Sequence, residues 1–238
     1  MSRALQLAML GALLVTSCGN DNVTVEVFAA SSLTDAFTEL EERFEAENPG
    51  VDIRLNLAGS DTLRRQINDG AGADVFAPAS IDLFDGIDVT PSTYATNVLE
   101  VIVSADLSVD DLTDPDGFDG LIVARCDSGV PCGIAADALI DALGLDLSGA
   151  TITSETNVRA VLSKVELGEA DVGFVYRTDA LAGSDHIVVT GLTAPDAAVT
   201  LAVAALDPGA TDASRFVDFV VSPESADVLA ALGFTPAP

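Results

Sequence analysis

Residues 23–30, "VTVEVFAA", alternate apolar and polar positions and are rich in β-branched side chains, the pattern of a strand. Directly after them Leu33, Phe37, Leu40 and Phe44 recur at spacings of four, three and four, which lays one apolar stripe along a helix that "NPG" (48–50) ends. Alternation returns in "VDIRLNLAG" (51–59). Helical spacing returns in "SDTLRRQINDG" (60–70), behind a capping Ser60. "ADVFAPAS" (73–80) reads as a third, buried strand, followed by a short helix at "IDLFDGI" (81–87). Strand and helix therefore alternate, the mark of a largely parallel α/β sheet.

A second series begins after Pro91. "NVLEVIVSAD" (97–106) and "GLIVARC" (120–126) predict strands, and "CGIAADALIDALG" (132–144) predicts a helix. "TNVRAVLSKVELGEA" (156–170) is amphipathic through Val158, Val161, Leu162 and Val165. "DVGFVY" (171–176) predicts a strand, "RTDALAG" (177–183) a helical turn and "HIVVTG" (186–191) a strand. "AVTLAVAALD" (198–207) is long and apolar, and helices are expected over 211–222 and 222–233. Each series is small for a domain, and long apolar stretches at 97–104 and 198–206 bracket the second. The pattern predicts two discontinuous lobes, 23–98 with 202–238 and 99–201, joined by extended crossing segments. Each lobe is expected to be a mostly parallel sheet flanked by helices. A cleft between them would collect the carboxyl ends of the strands, where ligands of open α/β sheets bind.

The start of the chain changes the compartment. In "MSRALQLAMLGALLVTSC", Arg3 precedes an apolar run too short for a comfortable membrane span and laid out like a secretory signal. "VTSC" resembles a bacterial lipobox, which gives a signal peptide over 1–17, a lipidated Cys18 and a polar tether over 18–22; the alternative is an ordinary signal peptide with a chance cysteine. Either way the protein is exported, to the outer face of the cytoplasmic membrane or the periplasm. In that oxidising setting the neighbouring thiols of Cys126 and Cys132 are expected to pair. A zinc site would need more ligands than these and the single histidine, His186.

Charge narrows the partners. The formal net charge is −28, with Lys164 the sole lysine, so nucleic acid and anionic lipid are repelled. An anionic ligand would have to bind against this field through local donors. Catalysis finds no footing. A serine nucleophile needs a base, and His186 stands beside Asp185, far along the chain from the candidate serines. Neither G-x-S-x-G nor H-E-x-x-H occurs, and "GVPCG" and "GAGAD" lack the phosphate-loop signature. The expectation is a binding protein rather than an enzyme.

The strand-to-helix junctions hold the remaining candidates: Ser31 and Ser32, Ser60, "VPCG" (130–133), "SETNVR" (154–159) and Tyr176. A helix start offers unpaired N–H groups and the positive end of a dipole. One such junction is an ordinary cap. Several of them facing one cleft point to an anion.

Here a specific resemblance enters. "VFAASSLTDAF", "AGSDTLRRQINDGAGADVFAPAS", "NVLEVIV", "VPCGIAADALIDALG", "NVRAVLSKVELGEADVGFVYRTDA" and the late "LGF" resemble, in order and over nearly all of the chain after residue 22, the molybdate-binding proteins of ABC transporters. The resemblance implies the two-lobed periplasmic-binding-protein fold and a monomer without cofactor. Such a protein captures molybdate or tungstate and hands it to a transporter permease. It also implies an oxyanion site made of the hydroxyls of Ser32, Ser60 and Tyr176 and the backbone N–H groups of Cys132 and Val158, with no metal cation bound directly by the protein. Ser31 and Asp61 are secondary candidates. Gly59, Ser60 and Asp61 stand where a run of serines is commoner in that family, and Asp61 could either accept a phosphate proton or face away. The alternatives are another tetrahedral oxyanion, sulfate or phosphate, or an enzyme or sensor on the same scaffold. No DNA-binding segment accompanies the lobes.

Overall fold

The structure, a computed structural model, describes residues 22–107 and 112–238. The expected signal peptide, Cys18 and nearly all of the tether lie outside these residues. Among the described residues no helix is long and apolar enough to cross a membrane.

The first lobe is built on β1 (Val23–Ala30), β2 (Val51–Ala58) and β3 (Val75–Ala77), all parallel, with β1 in the middle. Helix α1 (Thr34–Glu47) joins β1 to β2, and α2 (Ser60–Asn68) joins β2 to β3. The apolar stripe of α1 does what its spacing predicts: Phe37, Leu40 and Phe44 are buried. Phe37 and Phe44 meet Phe216 of α6 (Thr211–Val220) edge-on, at ring distances of 6.2 and 5.2 Å. The C-terminal helices thereby return to the first lobe, with α7 (Pro223–Ala231) beside α1.

The second lobe repeats the plan. Strands β5 (Ile122–Cys126), β6 (Thr151–Glu155) and β7 (Val172–Tyr176) are parallel with β5 in the middle, carrying α3 (Pro131–Leu143), α4 (Val158–Glu166) and the short α5 (Arg177–Ala182). All five residues of β7 are buried, as befits a strand covered on both faces.

Two long strands tie the lobes together. β4 (Ser92–Ser104) and β8 (Ile187–Ala205) run antiparallel to each other from one lobe into the other. The far end of β8 pairs with β3, and the second half of β4 pairs with β7. The expected boundaries at 98/99 and 201/202 fall inside these strands. A two-residue strand, β9 (Thr235–Pro236), adds to the edge of β4. The strand order is β2-β1-β3-β8-β4-β7-β5-β6, so β2 and β6 stand at opposite ends of it.

Three departures from the sequence reading have physical causes. The segments 186–191 and 198–207, expected as separate strands, belong to the single β8. Gly191, Pro195 and Asp196 interrupt the apolar alternation, yet pairing with β4 carries on through register shifts, and Gly191 takes a left-handed φ of 77°. β4 begins at Ser92 rather than at Asn97. β6 had no strand signal: "TITSE" is an edge strand whose side chains are half or fully exposed, so it carries no apolar pattern.

Candidate anion-binding site

The carboxyl ends of all six parallel strands converge on one cavity. β1 leads into Ala30, Ser31 and Ser32, and β2 into Gly59 and Ser60. β3 leads into Ala79, β5 into Val130, Pro131 and Cys132, β6 into Thr156, Asn157 and Val158, and β7 ends on Tyr176. Both lobes contribute, and the two edge strands of the order, β2 and β6, deliver neighbouring walls. The cavity measures about 10 Å³, the room needed for one water-sized sphere. The shut cleft has no room for a sugar, an amino acid or a peptide.

Each of the five main candidate residues lines this space, and local structure leaves each with a donor to offer. Ser32 lies in a short 3-10 turn (Ser31–Leu33) ahead of α1 and is buried. The Ser31 carbonyl in that turn is taken by the Thr34 hydroxyl at 2.7 Å. Ser60 opens α2, and its Oγ accepts the Ala79 N–H at 3.0 Å, which leaves the hydroxyl proton free to donate. At the start of α3, Pro131 has no N–H, while the N–H groups of Gly133 and Ile134 both bond to the Val130 carbonyl at 2.9 and 3.0 Å. Cys132 N–H is thus the first donor of that helix without an intrahelical acceptor. At α4 the Asn157 side chain caps the Ala160 N–H at 3.1 Å, and Val158 N–H stands at the first helical position. The Tyr176 hydroxyl is buried and has no hydrogen-bond partner among the described residues. Burial, with Asp179 nearby adding to it, pushes the phenol well above its ordinary pKa, so it stays a protonated, neutral hydroxyl that keeps its proton to donate.

Cys132 and Cys126 are joined by a disulfide with Cα atoms 5.7 Å apart. The Cys132 side chain is committed there, so its backbone alone can face a ligand. The loop closes tightly enough that a Cβ on Gly133 would sit 1.7 Å from the Asp127 carbonyl oxygen, which only glycine avoids.

Among the described residues no cationic or carboxylate side chain lines the cavity. Asp61, the secondary candidate, is not part of the wall. Its Oδ2 is buried without a hydrogen-bond partner among the described residues, and burial raises its pKa while Arg65 and Arg64 pull it down. Arg159 follows Val158 directly but is held elsewhere: its Nε lies 2.6 Å from Asp179 Oδ1, and its guanidinium pairs with Asp35 of α1 across the lobes. Asp179 is fully buried, and burial pushes its carboxyl up to about 7 although Arg159 draws it down. A wider groove of about 320 Å³ next door shares Ser32, but it is walled by apolar side chains such as Leu181 and Phe234 and contains Asp35, a poor setting for an anion.

The sequence reading missed several contributors. Gly59 and Ala79 carry no chemistry of their own; one permits a close approach and the other orients Ser60. Asn157 was within reach, because "SETNVR" is rich in capping residues. The Arg159–Asp35 pair spans 124 positions and left no local signal.

Comparison with known proteins agrees with this architecture. A model of the family described as bacterial extracellular solute-binding protein matches residues 25–235. The molybdate-binding protein ModA of Mycobacterium tuberculosis is 39% identical over 194 residues, which covers 77% of this chain and 71% of that protein. Escherichia coli K12 ModA is 33% identical over 235 residues, 90% of each. The periplasmic molybdate-binding protein of Azotobacter vinelandii superposes with a TM-score of 0.74 over 90% of this chain and 99% of the other, at 20% identity, and so shares its fold. The chain, with its two lobes closed on one small donor-lined cavity, belongs to the bacterial extracellular solute-binding protein family.

Proposed function

We propose that this protein captures molybdate or tungstate outside the cytoplasm and delivers it to an ABC importer. The observation that carries the reading is the cavity itself, at the carboxyl ends of six strands and lined by donors without a cation or a carboxylate. Neutral donors aimed from several helix starts suit a tetrahedral dianion, because each bond to it is charge-assisted and the closed lobes exclude water. The same set disfavours monohydrogen phosphate, whose proton would meet no acceptor at a cost of about 1–3 kcal/mol. Sulfate brings no such proton and must be rejected by size. The relatives named for molybdate support the choice of ion.

The rest of the reading follows from export. A signal peptide over 1–17 is removed, Cys18 is lipidated, and residues 18–22 tether a monomer of two lobes, 23–98 with 202–238 and 99–201, to the outer face of the membrane. Cys126 and Cys132 stay oxidised there. The protein binds its ion without chemical change and needs no cofactor.

Calorimetric titration of the purified mature protein, in buffer free of oxyanions, tests the function. Molybdate and tungstate should bind tightly while sulfate and phosphate give no heat. Tight phosphate or sulfate binding with silent molybdate would overturn the assignment of the ion.

A further inference from the structure

Gly59 is the N-cap of α2, with φ −61° and ψ 135°. Any residue adopts those angles, so the backbone does not ask for glycine here. The demand comes from the other lobe. A Cβ at position 59 would stand 2.6 Å from the backbone carbonyl oxygen of Thr156 and 3.3 Å from Asn157 Cβ. Position 59 follows β2 and positions 156 and 157 follow β6, the two ends of the strand order, so this contact exists only because the lobes are shut. It lies one residue from Ser60 and two from Val158, each a donor at the cavity.

We propose that Gly59 is the spacer that sets how far the lobes close, and so the width of the ion cavity; this rests on the binding function proposed above. With any side chain at 59, the backbones must part by about 0.8 Å, the step from 2.6 Å to ordinary contact at 3.4 Å. A carbonyl on the chain backbone cannot swing aside as a flexible side chain would. An ion held by donors from both lobes would then have bonds on one side stretched beyond the 2.7–3.2 Å range in which they are strong. The expected loss is that of about one charged hydrogen bond, on the order of ten- to a hundred-fold in affinity.

Two variants separate closure from helix capping. Gly59→Ala adds a Cβ and weakens the cap, whereas Gly59→Ser adds a Cβ and supplies a preferred capping residue. Molybdate calorimetry would be paired with spin-label distances between exposed positions Asp69 in the first lobe and Leu167 in the second, with and without molybdate. Both variants should bind on the order of ten-fold or more weakly and show a longer closed distance than the parent. Loss in Gly59→Ala with parental affinity in Gly59→Ser would mean that the cap, and not the spacing, matters, and would overturn the proposal. Parental affinity in both would overturn it too, while leaving the binding function intact. If the parent binds no oxyanion, the proposed function falls and the distances alone decide: a shorter closed population in the parent than in both variants upholds the spacer, and identical distributions reject it.

Discussion

The buried, unpartnered hydroxyl of Tyr176 gives a prediction with opposite signs in two measurements. Tyr176→Phe removes a single oxygen and leaves the ring where β7 packs it. With the lobes shut that oxygen has no protein partner among the described residues, and where no water pairs with it the cost is up to about 1–3 kcal/mol. Removing it should raise stability by up to that amount, or about 2–4 °C in Tm per kcal/mol for a chain of this size. Opening of the cleft lets water reach the hydroxyl and shrinks the gain towards zero, so stability should rise or stay level and should not fall. Binding should move the other way. If the hydroxyl donates to the ion, its loss removes a charged hydrogen bond of about 1.5–3 kcal/mol, roughly ten- to a hundred-fold in Kd. Denaturant unfolding of the ligand-free protein and molybdate calorimetry give the two numbers. A variant that is less stable by more than about 1 kcal/mol, or that binds molybdate as the parent does, would refute the assignment of this hydroxyl to the ligand.

Ser60→Ala and Ser32→Ala should differ in a similar way. Both lose affinity, but only Ser60→Ala also loses about 1–3 kcal/mol of stability, because it leaves the buried Ala79 N–H without its acceptor; no hydrogen bond within the described residues uses the Ser32 hydroxyl. Equal unfolding midpoints for the two variants would contradict this. Asp61→Ala should leave molybdate affinity unchanged, since Asp61 does not line the cavity, and a ten-fold change in calorimetric Kd would count against that placement. Asp179 titrates near 7 when folded and near 3.8 as its reference, so between those values the folded chain holds a proton that the unfolded chain has lost. Its contribution to stability is therefore full below about 4, declines as pH rises and is gone above about 7, at a slope on the order of 1 kcal/mol per pH unit. Unfolding curves of the parent and Asp179→Asn should diverge across that window, and parallel curves would reject it.

Much of this molecule was legible before its structure. The α1 stripe of Phe37, Leu40 and Phe44 and the alternation in β1 follow from burial on one face, which leaves a period in the sequence. The junction residues were legible because capping and anion binding use the same small, donor-rich residues. What escaped had no local signature. β6 is a polar edge strand, recognisable only by its pairing with β5. β8 reads as two pieces because its continuity is enforced by β4, not by its own alternation. The value of Gly59 depends on a carbonyl nearly a hundred residues away, brought close by lobe closure. The Arg159–Asp35 pair is of the same kind.

The crossing strands have a consequence for the order in which the chain can assemble. Strands β5, β6 and β7 with helices α3 and α4 are drawn from one continuous stretch, residues 122–176, and their pairings are short in sequence. The first lobe has no such independence: Phe76 must wait for Ala204, and Phe37 and Phe44 for Phe216. Non-local contacts of this length form late, since the intervening loop entropy is lost before they return any stabilisation. In any order of folding that follows the chain from its N-terminus, the half that comes first is therefore completed last, and its apolar strand edges stay exposed until the C-terminal helices arrive.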